Sequence, residues 1–241
     1  NRANIDLPGE QQELLEAVYD VNQNIVLVLN NGRPLAIDWA AEHIPAIVEG
    51  WQLGSQAGNA IAKVVYGDYN PSGKLPMTFP RTVGQVPIYY NHKSTGRPTD
   101  VGDDLVFWSH YGDVSNDPLF AFGHGLSYTT FTYDTLSVVA TSSGATVQVG
   151  VSNVGNVSGK EVVQLYLQDP YASVTRPVKE LKGYEMVALE PNERKIVTFE
   201  LTEKELGFYD NQGNWLVESG EFKVYVGGNS TTQLYKSFVK E

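Results

Sequence analysis

Apolar and polar residues follow two different rhythms along this chain, and the change falls near residue 129. Before it, the run Glu10-Gln11-Gln12-Glu13-Leu14-Leu15-Glu16-Ala17-Val18-Tyr19 sets Leu14, Leu15, Val18 and Tyr19 on one helical face. Leu7-Pro8-Gly9 is a turn signal ahead of it, and acidic residues in its first turn suit the helix dipole. The continuous run Ile25-Val26-Leu27-Val28-Leu29 predicts a strand buried on both faces, closed by the turn Asn31-Gly32-Arg33-Pro34. A short segment over residues 38–43 leads to a second strand candidate at residues 45–51. Residues 55–66 then space Ala57, Ala60, Ile61, Val64 and Val65 along one helical face, with Gly54-Ser55 as the expected N-cap and Gly67 as the stop. Helix, strand, strand, helix with buried strands indicates an α/β layer.

From Phe131 onward the period becomes 2. Val147, Val149 and Val151 alternate with polar or small residues, as do Val163, Leu165 and Leu167, then Val197, Phe199 and Leu201, then Phe222, Val224 and Val226. Turn signals separate these runs at Asn153-Val154-Gly155-Asn156, Asp169-Pro170, Glu190-Pro191-Asn192, Asn211-Gln212-Gly213-Asn214 and Gly227-Gly228-Asn229. Roughly seven short strands in this span form the pattern of an immunoglobulin-like β-sandwich. The expected fold is thus α/β plus all-β, with the boundary near residues 128–132.

Between the two rhythms lies a long irregular region. Residues 67–91 read GDYNPSGKLPMTFPRTVGQVPIYYN, and Pro71, Pro76, Pro80 and Pro87 with Gly67, Gly73 and Gly84 specify a shaped loop. Residues 91–129 continue without regular pattern but carry Trp108, Tyr111, Phe120 and Phe122, which argue against disorder. A loop of this length in a compact protein is functional or interfacial. Tyr89-Tyr90-Asn91-His92, Arg97, Trp108 and Tyr111 mix aromatic and polar groups as a sugar-binding rim does, with ring faces for stacking and polar groups for hydroxyls. The same mixture serves interdomain packing equally well.

Composition narrows the chemistry. The chain has 241 residues and a formal net charge of −11, with no basic stripe in either part, which disfavours a nucleic-acid partner. Its apolar runs are far shorter than the ~20 residues that span a bilayer. Zero cysteines exclude disulfides, thiolate metal sites and a cysteine nucleophile. The four histidines, His43, His92, His110 and His124, show no metal-ligand spacing, so no metal is expected. The run Gly67-Asp68-Tyr69-Asn70-Pro71-Ser72-Gly73-Lys74 fails as a phosphate loop. Its spacing is one residue too long, and Leu75 stands where the metal-binding hydroxyl belongs. In Gly54-Ser55-Gln56-Ala57-Gly58 the serine directly follows glycine, so it is not a nucleophile elbow.

Several segments resemble glycoside hydrolase family 3. Asn4-Ile5-Asp6-Leu7-Pro8-Gly9-Glu10-Gln11-Gln12-Glu13-Leu14, Val28-Leu29-Asn30-Asn31-Gly32-Arg33-Pro34-Leu35, Gly67 through Pro76, and Phe122-Gly123-His124-Gly125-Leu126-Ser127-Tyr128 match its second domain, with His124 where the family usually has tyrosine. Asn153-Val154-Gly155, Gln164-Leu165-Tyr166 and Arg176-Pro177-Val178-Lys179-Glu180-Leu181-Lys182-Gly183-Tyr184 resemble the fibronectin-III-like domain that ends many bacterial β-glucosidases. The resemblance implies an α/β sandwich domain over residues 1–128, truncated at its N-terminus and carrying the aromatic loop 89–128, followed by a fibronectin type III-like domain over residues 129–241.

Members of that family are retaining glycosidases, which need two carboxyl groups about 5–5.5 Å apart. The family's nucleophile is an aspartate in a Ser-Asp motif on an N-terminal barrel, and no Ser-Asp dipeptide occurs here. The acid/base glutamate of many members lies upstream of the segment matching residues 2–7. The resemblance therefore implies no catalytic residue in this chain and an isolated chain without activity. Arg97, Tyr111, Tyr89, Tyr90 and Asn91 are its candidates for aglycone contacts at the active-site rim. The implied partners are β-linked gluco-oligosaccharides or aryl glucosides, the missing barrel domain and a homodimer mate. Neither cofactor, nucleic acid nor membrane is implied, and the expected location is periplasmic or extracellular. A non-catalytic sugar-binding or adhesion module, or a β-xylosidase or exo-glucanase parent, is the alternative.

Overall fold

The computed structural model describes residues 2–97 and 108–241. They form two compact units, each discontinuous in sequence. One comprises Asn1–Tyr69, Met77–Ile88 and Tyr111–Ala121; the other comprises Asn70–Pro76, Tyr89–His110 and Phe122–Glu241.

In the first unit, α1 (Gln11–Val21), β1 (Val26–Leu29), α2 (Asp38–His43), β2 (Ala46–Glu49) and α3 (Ala57–Val65) follow the order predicted from periodicity. β1 and β2 pair in parallel, with Val26 opposite Ala46 and Leu29 opposite Glu49, and α2 lies in the connection that parallel pairing requires. The expectation that β1 is buried on both faces is not met. Within β1 only Leu29 is buried, Leu27 and Val28 are partly covered and Val26 stays exposed, because both faces of a strand are buried only where a layer covers each of them.

The helix boundaries differ from expectation in one instructive place. Ser55 does not cap α3; Gln56 occupies the N-cap, its Oε1 accepting from the Asn59 side chain at 2.6 Å and not from a helix backbone N–H, after a turn closed by Ala57 N–H to Gly54 O at 3.0 Å. Gly67 does end it, at φ +82, with its N–H donating to Val64 O at 3.1 Å. Trp39 stacks on His43 at 4.4 Å and Tyr19 meets both edge-on, so this histidine is part of the packing between α1 and α2.

The second unit is a two-sheet sandwich. Its strands are β3 (Phe131–Thr141), β4 (Gly144–Asn153), β5 (Gly159–Gln168), β6 (Glu180–Leu189) and β7 (Arg194–Leu201), then, after the one-turn helix α4 (Glu203–Leu206), a hairpin of β8 (Phe208–Tyr209) and β9 (Trp215–Leu216), and finally β10 (Gly220–Gly227) and β11 (Tyr235–Lys240). One sheet has the order β11-β10-β5-β6 and the other β3-β4-β7, all antiparallel, which gives the seven main strands expected. The inward residues of both sheets make one core, centred on Val147, Val149, Val151, Val163, Leu165, Val197, Phe222 and Val224.

β5 departs from simple alternation. Val163, Leu165 and Leu167 face the core as period 2 demands, yet Gln164 and Tyr166 between them are buried as well. The second face of this strand is covered by chain that precedes the sandwich in sequence.

Candidate functional site

That cover is built from the motif-bearing loops. Asn70 bonds the Ser158 carbonyl through Nδ2 at 3.0 Å and accepts from Ser127 Oγ and the Tyr128 N–H. Leu75 and the 122–125 segment run antiparallel, joined by Leu75 N–H to His124 O and Gly123 N–H to Leu75 O, each 2.8 Å. Gly123 has φ +80, and a Cβ there would collide with the Gln164 amide, so both its conformation and its approach to β5 require glycine. Gln164 completes the contact by donating to the carbonyls of Gly123 and Gly228.

Lys74 carries the electrostatics of this seam. Its ammonium donates to Gly125 O at 2.9 Å and pairs with Glu161 on β5 at 3.2 Å. Glu161 is 4% exposed, and its other oxygen accepts from the Tyr133 hydroxyl at 2.7 Å. Burial, then the Glu161 charge, pushes the Tyr133 phenol far above its ordinary range, so it stays a donor. Burial, then the Lys74 charge, holds the neighbouring His124 imidazole below its ordinary value and favours its neutral form. The lysine that resembled a phosphate ligand in sequence is thus engaged with a carboxylate and a carbonyl. The cluster binds segments of the second unit together.

The sequence-predicted rim residues divide between the units. Tyr89, Tyr90, Asn91 and Arg97 belong to the second and Tyr111 to the first. Tyr89 is 60% exposed, whereas Tyr90 stacks on Phe122 at 4.2 Å, meets Tyr166 edge-on at 5.8 Å, and accepts the Leu181 N–H at its hydroxyl. Asn91 is exposed in the turn that follows. Backbone pairing of Val178 N–H with His92 O anchors this segment against the sandwich. Arg97 is exposed and its carbonyl accepts from Ser109 N–H at 3.0 Å. Tyr111 is 45% exposed, its N–H held by Asn116 Oδ1 at 3.0 Å. The part of the aromatic loop at 98–107 lies outside the described residues. Among the described residues no group of three or more histidine and carboxylate side chains is gathered to hold a metal ion.

One concave feature escaped the sequence reading. A cavity of 360 Å³ opens in the second unit beside Asp169 and Arg176, at the end of β5 and in the loop before β6. Arg176 was visible only as part of a family motif, and nothing in local sequence predicts that two buried charged groups there lack full partners.

The two units are an α/β layer with a parallel strand pair and a two-sheet sandwich covered by the motif-bearing loops of its own unit. The chain belongs to glycosyl hydrolase family 3: the profile of that family's C-terminal domain matches residues 1–128, and a fibronectin type III-like profile matches residues 161–230. It is 45% identical to the periplasmic beta-glucosidase of Salmonella typhimurium over 99% of its own length, and 46% identical to a beta-xylosidase of Formosa agariphila over 95%. It superposes on a mutant beta-glucosidase from Listeria innocua, in complex with laminaribiose, with a TM-score of 0.93 at 41% identity over the whole chain. The chain spans about a third of the length of these relatives, namely 32%, 31% and 34%.

Proposed function

We propose that this chain is the C-terminal portion of a retaining, exo-acting β-glucosidase that removes terminal non-reducing β-D-glucosyl residues from oligosaccharides or aryl glucosides. The observation that carries this reading is the similarity to β-glucosidases along the full chain, at 45% identity, without any Ser-Asp dipeptide in this third of the protein. Residues 1–128 and 129–241 are the two domains of that reading. The nucleophile belongs to a barrel region and the acid/base glutamate lies upstream of the segment matching residues 2–7, so this chain supplies scaffold and rim. Exposed Tyr89, Asn91, Arg97 and Tyr111 are the rim contacts, with Tyr90 as the packed residue that holds Tyr89 and Asn91 in place. The periplasm or the extracellular space is the proposed compartment and a homodimer the proposed assembly.

The test is reconstitution. The chain alone is expected to leave an aryl β-glucoside intact, and joining it to the barrel region of a relative restores turnover. In that enzyme Tyr111→Ala and Arg97→Ala raise KM roughly tenfold, the loss of one good contact, with a smaller change in kcat. Turnover by the purified chain alone contradicts the assignment. The similarity to a beta-xylosidase supports a second reading, and the ratio of aryl β-xyloside to aryl β-glucoside turnover decides between them.

A further inference from the structure

The hairpin of β8 and β9 presents two aromatic rings to solvent. Its register sets Phe208 opposite Leu216 and Tyr209 opposite Trp215, and strand alternation sends these pairs to opposite sides. The inner pair anchors the hairpin: Phe208 is buried and lies 4.7 Å beneath the Arg176 guanidinium. The outer pair is open, with Tyr209 66% and Trp215 48% exposed. Outward positions of a half-buried ribbon ordinarily carry polar residues. Tyr and Trp side by side there suit contact with a partner, since each joins a large apolar body to a polar tip.

Both rings are held in place. Their centroids are 5.0 Å apart and their planes cross at 70°, so they wall a corner. The indole lies so close to the Gly207 backbone that a Cβ there would come within 2.5 Å of it. The tip is equally fixed. Gly213, at φ +83, ends a three-residue turn closed by its N–H to Asp210 O at 3.1 Å. Asp210 Oδ1 accepts the N–H groups of Gln212 and Asn214, each at 2.8 Å, and Oδ2 accepts from the Asn214 amide at 3.1 Å. Asp210 and Asn214 are thus engaged in the turn. The exposed side-chain amides of Asn211 and Gln212 make no hydrogen bond among the described residues.

This chemistry selects a partner. Aromatic rings take up the C–H face of a pyranose, and a side-chain amide both donates and accepts, as sugar hydroxyls require. The free groups at the tip are uncharged, so nothing there favours an ion. Two rings and two amides fall far short of the roughly 800 Å² per partner that a stable protein interface needs. A net charge of −11 opposes an anionic membrane or a nucleic acid. We propose that the outer face of this hairpin, formed by Tyr209, Asn211, Gln212 and Trp215, binds a neutral oligosaccharide through the faces of its pyranose rings. The surface uses none of the proposed rim residues, and it stands whether the parent enzyme is a β-glucosidase or a β-xylosidase.

Cellohexaose and laminarihexaose, titrated separately into the 15N-labelled 241-residue chain, test it. The expected result, with at least one of them, is a saturable shift of the Trp215 indole N–H signal and of backbone signals at residues 209–215. Tyr209→Ala weakens binding roughly tenfold, the scale of one lost aromatic contact, and Trp215→Ala abolishes it. Should Trp215→Ala disturb the hairpin through its contact with Gly207, Tyr209→Ala decides, because that ring is mostly in solvent. Tyr184→Ala removes an equally exposed tyrosine from β6 and leaves binding unchanged, as does Tyr111→Ala at the proposed rim. Absence of shifts at residues 209–215 with both sugars, or binding indifferent to Tyr209→Ala, would overturn the proposal. So would a loss in Tyr184→Ala or Tyr111→Ala as large as that in Tyr209→Ala.

Discussion

The two units of this chain use hydrophobic patterning to different ends. In the sandwich, Val147, Val149 and Val151 on β4 are sealed beneath the opposing sheet, and β5 is covered on its second face as well. In the α/β unit, α3 has a clear apolar stripe yet buries no residue, and α1 buries only Leu15. Leu14, one position away, is 64% exposed. Periodicity therefore identifies an element, and burial depends on whether another layer meets its apolar face. Core substitutions should be severe in one unit and mild in the helices of the other.

The sharpest way to break this comparison is a pair of truncations. Leu165→Ala removes a fully buried side chain from the sandwich and is expected to cost about 2–5 kcal/mol. Leu14→Ala on exposed α1 should stay within about 0.5 kcal/mol. Chemical denaturation of both variants measures the gap, and equal losses would refute the distinction.

The Lys74–Glu161 pair comes next, because it joins a motif loop to β5. Lys74→Met leaves Glu161 buried with only the Tyr133 hydroxyl as partner, at an expected cost of about 3 kcal/mol. The double variant Lys74→Met with Glu161→Leu should recover much of that loss, since both charges are then gone. If the double variant is as unstable as the sum of its parts, the two residues do not act as a pair.

The same pair marks the limit of what the sequence reveals. The alternating runs disclose β4, β5, β7 and β10, the turn signals between them suggest the rough number of strands, and the helical spacings disclose α1 and α3, because those patterns are local. Gly67 was legible as a helix stop for the same reason. Ser55 was not the cap it resembled, since the turn closed at Gly54 puts the N-cap one residue later, at Gln56. Burial of Gln164 and Tyr166 was invisible, as it comes from chain about 40 and 75 positions earlier folding over β5. The rim candidates were nameable from residue type and resemblance. That Tyr90 is packed while Tyr89 is exposed depends on Phe122 and Leu181, which no local pattern connects to them. The Asp169–Arg176 cavity has no sequence signature at all.

A smaller effect is expected at the start of α4, whose Leu206 is anchored in the sandwich core while its N-terminus is held by local bonds. Thr202 and Glu205 form a reciprocal capping box, with Thr202 Oγ1 accepting from Lys204 N–H and Glu205 Oε2 accepting from Thr202 N–H. Thr202→Ala should cost about 1 kcal/mol, seen as a shift in denaturation midpoint without a change in slope.

The smallest expected effect tests which force governs Asp169. Burial pushes its carboxyl above the ordinary value of 3.8, and the nearby Glu218 and Glu180 add to this, against the pull of Arg176 and a backbone N–H from Tyr171. An acid with a raised folded pKa holds its proton more tightly when folded. Its contribution to stability is complete below the unfolded pKa and is lost as pH rises through the folded one. Asp169→Asn cannot undergo that loss. The variant should therefore be at least as stable as the parent at pH 7, and its relative advantage should shrink as pH falls through and below about 3.8. Thermal unfolding at pH 3, 5 and 7 measures this. A variant that is less stable at pH 7 and draws level toward pH 3 would mean that attraction to Arg176 outweighs burial. The carboxylate would then be a structural half of an ion pair with Arg176 instead of an acid governed by its burial.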